Sequence, residues 1–522
     1  MIFRGPYPDI SIPNTSLPAL ILDRAERLCE KTALIDGSTG TRFSFSEFRD
    51  AVLKVAAGLA RNGFKKGDVL ALMCPNCPEY GVMFMASAYL GGINTTLNPT
   101  CTEDEIGSQL ADSKAAFLFT HPQLINKVPV ELRTSQMRRT FVLGALKGMI
   151  PFSDLLNEEP TVERTMINPD KDLVALPYSS GTTGVSKGVM LTHRNLVANL
   201  RQLEVAGIFT DSDTIIGVLP FFHIYGMVVV LSAALYLGAT LVTLPRFDME
   251  SFLEAMEKHS ITYANLVPPL VLALVRNPSV DAVRLSNLKT IMCGAAPLSM
   301  ATAQAFAEKM ECRVTQGYGM TEASPVTHVA PIAGTSIPLD SVGPCAPNTE
   351  CKIVALKDGR ELGPQETGEL YVRGPQVMKG YLDRPEETAR MIDSNGWMQT
   401  GDIGYADEDG NFFIVDRVKE LIKYKGFQVA PAELEALLLT HPAVADAAVI
   451  PSPDNEVGEL PKAYLVTLED TKEEAIMLWV AKRVAPHKRI RRIVFIDKIP
   501  KSASGKILRR VLIEQDRSGS SS

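Results

Sequence analysis

Residues Pro177–Asn195 read PYSSGTTGVSKGVMLTHRN, and the architecture of the whole chain turns on what this stretch is. Its Ser/Gly/Thr run and lysine suggest an NTPase phosphate loop, G-x-x-x-x-G-K-[ST]. Counted from Gly181, however, Ser186 stands at the second glycine and Gly188 at the hydroxyl, so only Lys187 falls in register. Gly184 to Gly188 also spells the G-x-S-x-G of a hydrolase elbow, which needs its serine on a tight turn straight after a strand. Ser186 instead follows SSGTTGV, too polar and glycine-rich for that strand. What remains, beside a plain surface loop, is a phosphate cradle of another type. Hydroxyls and unhindered backbone N–H groups face oxyanions there, and Lys187 supplies a cation.

Outward from this stretch the pattern is regular. DLVALPYSS is a strand running into the loop. Upstream, DVLALMC, PEYGVMFMASAYLGG, EDEIGSQLADS and AAFLFT alternate strand and helix. Downstream, TLVTLP, ESFLEAMEKHS, ITYANLVP, LKTIMCG, MATAQAFAEKM and CRVTQGYG repeat the alternation. Continuous apolar strands alternating with helices predict an α/β fold of doubly wound parallel sheets. Ligands of such sheets sit beyond the carboxyl ends of the strands, where this loop lies. Between Gly359 and Phe413 short β-rich runs separated by Gly, Pro and Asp predict a small meander or distorted barrel. A polar junction, DRVKE, then leads to a small α+β unit with the helix APAELEALLLTH and the strands ADAAVIP, KAYLVTL and RRIVFID. The expected division is 1–416 and 417–522, with DRSGSSS as a flexible tail.

The chain has 522 residues, more than one ordinary core holds. The net charge of −7 disfavours nucleic acid as a partner. From Arg417 onward there are 18 lysines and arginines against 14 acids, so the last unit carries +4 and the rest −11. A basic cap over an anionic ligand fits that imbalance, as does ordinary scatter of surface charge. The eight cysteines are irregular. Cys74 and Cys77 form a lone C-x-x-C with no second pair or nearby histidine, which reads as a structural loop with reduced thiols. Met227–Leu244 contains no charge, but Gly238 breaks it and its tail is β-branched, so a buried helix and strand are expected rather than a membrane span. The N-terminus has no apolar secretory core, and SSS is no peroxisomal tripeptide, although a trimmed end could hide one. A cytoplasmic monomer or weak homodimer is the expectation.

Six further segments stand in order along the chain: PFFHIYG (Pro220–Gly226), GAAPLS (Gly294–Ser299), QGYGMTEASP (Gln316–Pro325), GWMQTGDIG (Gly396–Gly404), DRVKELIKYKGFQVAPAELE (Asp416–Glu435) and PKSASGKILRR (Pro500–Arg510). With YSSGTTGVSKGV they resemble the signature set of the adenylate-forming superfamily, and most closely the 4-coumarate:CoA ligases and their bacterial and peroxisomal relatives. The resemblance implies a large N-terminal domain that binds ATP and an acid, and a small mobile C-terminal domain. It implies a two-step reaction with ATP, Mg²⁺ and CoA: carboxylate attack on the α-phosphate gives an acyl-adenylate and pyrophosphate, and the CoA thiol then displaces AMP.

Residue by residue, the resemblance puts Ser179, Ser180, Gly181, Thr182, Thr183 and Lys187 on the β- and γ-phosphates, Thr321 on the α-phosphate and Glu322 on Mg²⁺. Ala295, Ala296, Pro297, Gln316, Gly317 and Tyr318 would wall the adenine, and Asp402 with Arg417 would take the ribose. Lys506 would bridge the attacking carboxylate and the α-phosphate, then leave as the C-terminal domain turns about Lys419. Lys423 and Gln428 would then approach the acyl-phosphate, and Arg246, Lys425 and Gly426 would lie along CoA. His223 would sit beside the carboxylate, and Tyr225, Val229, Ala295, Gly317, Gly319 and Val329 would line the acyl slot.

Two departures bear on the acid. Val229 stands where plant hydroxycinnamate ligases often carry a small polar residue, and Ser324 replaces the glycine of the family's TEAGP. With Tyr225 the only evident partner for a 4-hydroxyl, the expectation is a tolerant enzyme for cinnamate-like and medium-chain acids, with little preference for that hydroxyl. A luciferase-type oxygenase would share every motif. A peptide-synthetase unit would continue into a carrier domain, and a hydrolase at Ser186 would need no ATP.

Overall fold

The alternation read from the sequence builds two large sheets that share one apolar core. The computed structural model describes residues 1–162, 165–179, 186–280, 284–331, 337–425, 427–454, 456–502 and 505–519. One sheet runs in the order Tyr178–Ser179, Lys187–Thr192, Leu173–Ala175, Ile93–Thr96, Val69–Met73, Phe117–Thr120, Arg139–Val142, Ile150–Pro151, with Gly380–Tyr381 added beside Lys187–Thr192. The other runs Val326–Val329, Arg313–Gly319, Thr290–Cys293, Tyr263–Leu266, Thr214–Gly217, Thr240–Thr243, Thr32–Asp36, Arg42–Ser44. Their centres are parallel, as expected, while Lys187–Thr192 and Val326–Val329 pair antiparallel, so both sheets are mixed.

Helices fill the space between the sheets. Pro78–Tyr89 is apolar on every side, and from Pro78 to Ala88 only Glu79 escapes full burial. A helix with no polar face has to be enclosed. It packs on the helices Leu17–Leu28 and Phe45–Arg61 and on strands of both sheets. Phe45–Arg61 is amphipathic and starts with a reciprocal cap, Ser44 to the Glu47 amide and Glu47 back to the Ser44 amide. The uncharged run from Met227 is likewise interior, with π-helical turns over Tyr225–Ser232, a short helix Ala233–Leu237 and the strand Thr240–Thr243. No helix among the described residues is long and apolar enough to cross a membrane.

The β-rich segment is an antiparallel five-stranded meander, Phe3–Arg4, Glu350–Val354, Gly368–Arg373, Met398–Ala406, Phe412–Arg417. Its last strand runs across the position expected to divide the chain, and Arg417 still pairs with Asp402. Beyond it, five strands, with Gly458–Thr467 and Val444–Asp454 as the long pair, carry the helices Pro431–Leu439 and Glu473–Ala481 over one core and Arg509–Gly519 over another. The expected flexible tail is corrected for residues 516–519, and residues 520–522 lie outside the described residues. Asp516 and Arg517 lie within the final helix, and buried Asp516 accepts from Tyr464 Oη at 3.1 Å and pairs with Lys462. A charged partner on the sheet makes that polar sequence helical.

Candidate active site

The motif segments converge where the carboxyl ends of the strands meet the meander and the last unit. Asp402 is buried on strand Met398–Ala406. Its Oδ2 accepts from Tyr318 Oη at 2.6 Å, and its Oδ1 lies 3.2 Å from Arg417 Nε. Tyr318 is the penultimate residue of the strand Arg313–Gly319, so the phenol fixes the carboxylate from a different sheet. Glu322, also buried, sits in the single turn Thr321–Ala323, and half-buried Thr321 starts that turn. Glu322 Oε1 accepts from Ser179 Oγ at 2.8 Å and from Tyr381 Oη at 2.9 Å.

Lys187 opens the strand Lys187–Thr192 rather than lying in a loop. Its ammonium is 3.3 Å from Glu387 Oε2 and 5.0 Å from the centre of the Tyr381 ring. Lysine, tyrosine and two glutamates thus frame one end of the cleft. Ser180, Gly181, Thr182 and Thr183, expected on the phosphates, and Gly426, expected along CoA, lie outside the described residues.

Lys506 reaches this cleft from the last unit. Gly505 makes the approach possible: its φ is +81°, and a methyl there would sit 2.9 Å from Pro269 Cγ. The left-handed backbone and the lack of a side chain together seat the loop on Val267–Pro269. Arg276 Nη2 donates to the Val444 carbonyl at 3.0 Å and Nη1 to the Ala445 carbonyl across the same contact. Burial, with the Arg417 guanidinium adding to it, pulls Lys506 down to about 8, while Asp402, Glu420 and Glu322 act in the opposite direction. The same ammonium is felt by His223. Burial first and Lys506 second lower that imidazole to about 4, so it is neutral, and its Nδ1 accepts from the Tyr225 amide at 3.3 Å. Proton occupancy therefore belongs on Nε2.

Other expected residues take less direct places. Gln316 is saturated: Oε1 accepts from the Leu298 amide at 3.1 Å, and Nε2 donates to the carbonyls of Leu298 at 3.0 Å and Leu339 at 2.6 Å. It has no N–H left for a base. Of the other residues expected around the adenine or the acyl group, Ala295, at φ +70°, and Pro297 are exposed, and Ala296, Gly317 and Gly319 are half-buried. Val229 and Val329 are fully buried. The Tyr225 hydroxyl already donates within the core, 3.1 Å from the Met292 carbonyl and 3.3 Å from Asn265 Oδ1. Arg246 is exposed just past the strand Thr240–Thr243.

Lys419, Lys423, Lys425 and Gln428 are exposed; Lys419 follows Val418, whose amide donates to the Gly401 carbonyl at 2.9 Å beside Asp402. Lys423 and Gln428 pair across a hairpin, and Gln428 shares a surface depression with Leu356, Arg360 and Glu366 of the meander. With Lys506 seated in the cleft, the hairpin of the same unit faces elsewhere.

Sequence reasoning missed four residues. Tyr381 and Glu387 hold Glu322 and Lys187. Asn76, from the C-x-x-C segment, donates to the Gly217 and Leu219 carbonyls and accepts from the Phe221 amide, which fixes the loop before His223. Cys74 and Cys77 themselves are free, buried thiols. Asn265 is the fourth.

The oxygen donors suit Mg²⁺. Among the described residues no three acidic, histidine or cysteine side chains cluster to hold an ion alone. A single buried carboxylate, Glu322, with one oxygen committed to hydroxyls, matches a hard cation that keeps most of its shell as water and phosphate oxygen.

Residues 21–382 match the family model described as AMP-binding enzyme, and residues 433–506 match the AMP-binding enzyme C-terminal domain. The chain belongs to the AMP-binding enzyme family. It is 43% identical over 533 residues to 4-coumarate–CoA ligase 1 of Petroselinum crispum, covering 99% of this chain and 97% of that protein. It is 42% identical to the 4-coumarate–CoA ligase of Pinus taeda, covering 98% and 97%. Among solved structures, this AMP-binding enzyme resembles ATP-bound MatB from Rhodopseudomonas palustris with a TM-score of 0.88 at 28% identity, covering 96% of this chain and 99% of that one. Against apo MatB, at the same identity and coverage, the TM-score is 0.78.

Proposed function

We propose that the protein is an ATP-dependent carboxylic acid–CoA ligase. In this reading it activates a hydroxycinnamate-like or other aryl acid, or a medium-chain fatty acid, to an acyl-adenylate and passes the acyl group to CoA. The observation that carries this reading is the meeting of Lys506 with Asp402, Arg417, Glu322 and His223. These residues are spread over positions 223 to 506, and folding brings their charges close enough to act on one buried ammonium.

Carboxylates are poor acyl donors because an oxide is a poor leaving group. In the first step a carboxylate oxygen bonds to the α-phosphorus and the bond to pyrophosphate breaks. The protein's part is positioning and charge neutralisation. Asp402 accepts from the ribose hydroxyls while Tyr318 and Arg417 hold it in place. Thr321 contacts the α-phosphate, and Lys187 neutralises the outer phosphates. Lys506 spans the incoming carboxylate and the α-phosphate. Neutral His223 stands beside the carboxylate without competing for its negative charge. Mg²⁺, held through Glu322, supplies further neutralisation of phosphate charge when bound.

In the second step the CoA sulfur bonds to the acyl carbon and AMP leaves. For that step residues 417–522 turn about Lys419, withdrawing Lys506 and bringing the Lys423–Gln428 hairpin over the body formed by residues 1–416. The greater likeness to ATP-bound than to apo MatB supports assigning the present arrangement to the first step.

The test is a panel of acids incubated with ATP, Mg²⁺ and CoA, reading pyrophosphate, AMP and thioester. Acid-dependent pyrophosphate release followed by stoichiometric AMP and thioester is the expected result. ATP-independent ester cleavage, or no acid-dependent pyrophosphate with any acid, would overturn the reading.

A further inference from the structure

The end of the cleft framed by Lys187 contains a carboxylate that none of the motif segments includes. Glu387 stands in the helix Pro385–Met391. That helix is fastened to the lysine strand through the strand Gly380–Tyr381. Tyr381 faces Val189 in the antiparallel pairing with Lys187–Thr192, and the Leu382 amide donates to the Gly188 carbonyl at 2.9 Å. The Tyr381 amide then donates to Thr388 Oγ1 of the helix at 2.9 Å. Glu387, one residue before that threonine, is thereby fixed beside the start of the lysine strand, 3.3 Å from the Lys187 ammonium.

The two glutamates of this corner are held differently. Glu322 Oε1 accepts from the hydroxyls of Ser179 and Tyr381, neutral donors that leave its charge to be met by a cation. Glu387 Oε2 is closed to solvent and accepts no hydrogen bond among the described residues, where Lys187 is its one ion-pair partner. A charge-assisted N–H···O bond is about 2.7–2.9 Å long. The longer Lys187–Glu387 contact neutralises charge without the alignment that would hold the lysine in one direction. The two partners also differ in exposure. The Lys187 side chain is 9% exposed, so its ammonium is costly without an anion, whereas the Glu387 side chain is 33% exposed and can turn to water once released.

We propose that Glu387 is a counter-ion that competes with the outer phosphates for Lys187 and so hastens the release of pyrophosphate. The proposal rests on the reading of Lys187 as the cation of the β- and γ-phosphates. In the empty enzyme Glu387 neutralises the ammonium, and a ligand has to displace the carboxylate. Apparent affinity is then reduced by the fraction of enzyme in which the lysine is free. ATP and pyrophosphate both carry the phosphates that meet Lys187, so both are weakened alike. AMP and the acyl-adenylate carry only the α-phosphate and are untouched. After the first step the return of Lys187 to Glu387 loosens pyrophosphate but not the adenylate, which opposes reversal before the CoA thiol arrives.

Glu387→Gln keeps the shape and removes the charge. With an acid that the enzyme turns over, KM for ATP and the inhibition constants of magnesium pyrophosphate and of AMP are compared in the wild type, Glu387→Gln, Lys187→Gln and the double variant. Glu387→Gln should lower the values for ATP and pyrophosphate by a common factor of about three or more and leave that for AMP unchanged. In the Lys187→Gln background the same change should count for clearly less. A rise in KM for ATP in Glu387→Gln overturns the proposal, because the carboxylate would then be a support for the lysine. An effect shared by AMP, or one undiminished without Lys187, overturns it too. If Lys187→Gln weakens ATP and pyrophosphate while Glu387→Gln changes neither, the competition alone falls. If Lys187→Gln leaves both ligands unaffected, the reading of Lys187 falls and the competition with it.

Discussion

Lys506 is the residue whose chemistry depends most on where the fold puts it. In water its amine would stay charged past pH 10, but here burial and Arg417 bring it down to about 8. Bridging two anions needs the ammonium, so the activity it supports is full below that value and is lost as pH rises through it. kcat/KM for ATP, which reports the free enzyme, should show an alkaline limb near pH 8. The limb in kcat should lie higher, because bound phosphate charge favours the ammonium. Lys506→Arg keeps its charge throughout, so whatever activity it retains should lack the limb. A limb unmoved in that variant would assign the titration elsewhere. His223, already neutral above about 4, should leave no acid limb near pH 6. Ser324 belongs to the same scale. It takes φ +68°, with its buried hydroxyl unpartnered. Ser324→Gly should stabilise the protein by about 1 kcal/mol, read as a raised thermal midpoint, because relief of strain and of the orphan hydroxyl exceeds glycine's extra chain entropy.

At the scale of elements, the sequence was most readable where meaning is local. Apolar runs and caps fixed the strands and helices, and Asp402, Glu322 and Lys506 stood inside segments long enough to be recognised. Tyr381, Glu387, Asn76 and Asn265 were not readable, because each matters only through a partner between 40 and 200 residues away that folding brings beside it. The last helix was misread because DRS looks like tail until Asp516 finds Lys462 and Tyr464. The loop before Lys506 carries its own prediction. Gly505→Ala places a methyl against Pro269 at a left-handed position, so the loop should no longer seat. Adenylation should fall at least tenfold, while thioester formation from a preformed acyl-adenylate is largely spared. Equal losses in the two half-reactions would mean that the contact serves folding rather than the first step.

For the molecule as a whole, the proposed two-step reaction asks the last unit to present two different faces in turn. Lys506 and the Lys423–Gln428 hairpin belong to the same basic unit, yet only the lysine is in the cleft. The double variant Lys423→Ala, Gln428→Ala should therefore leave the acid-dependent pyrophosphate burst close to wild type and slow thioester formation, the reverse of Gly505→Ala. A matching loss of the burst would show that the hairpin already acts in the first step.

The meander strand at the start of the chain has a consequence for synthesis. Phe3 and Arg4 pair with Cys351 and Glu350, and Tyr7 donates to the Val329 carbonyl. On the ribosome this segment emerges more than 300 residues before its partners exist. It must wait as an unpaired edge while both large sheets are made, and it closes the meander only afterwards. If Asp402 and Arg417 of that meander take the ribose as proposed, competence to hold ATP is thus a late event in the life of the nascent chain.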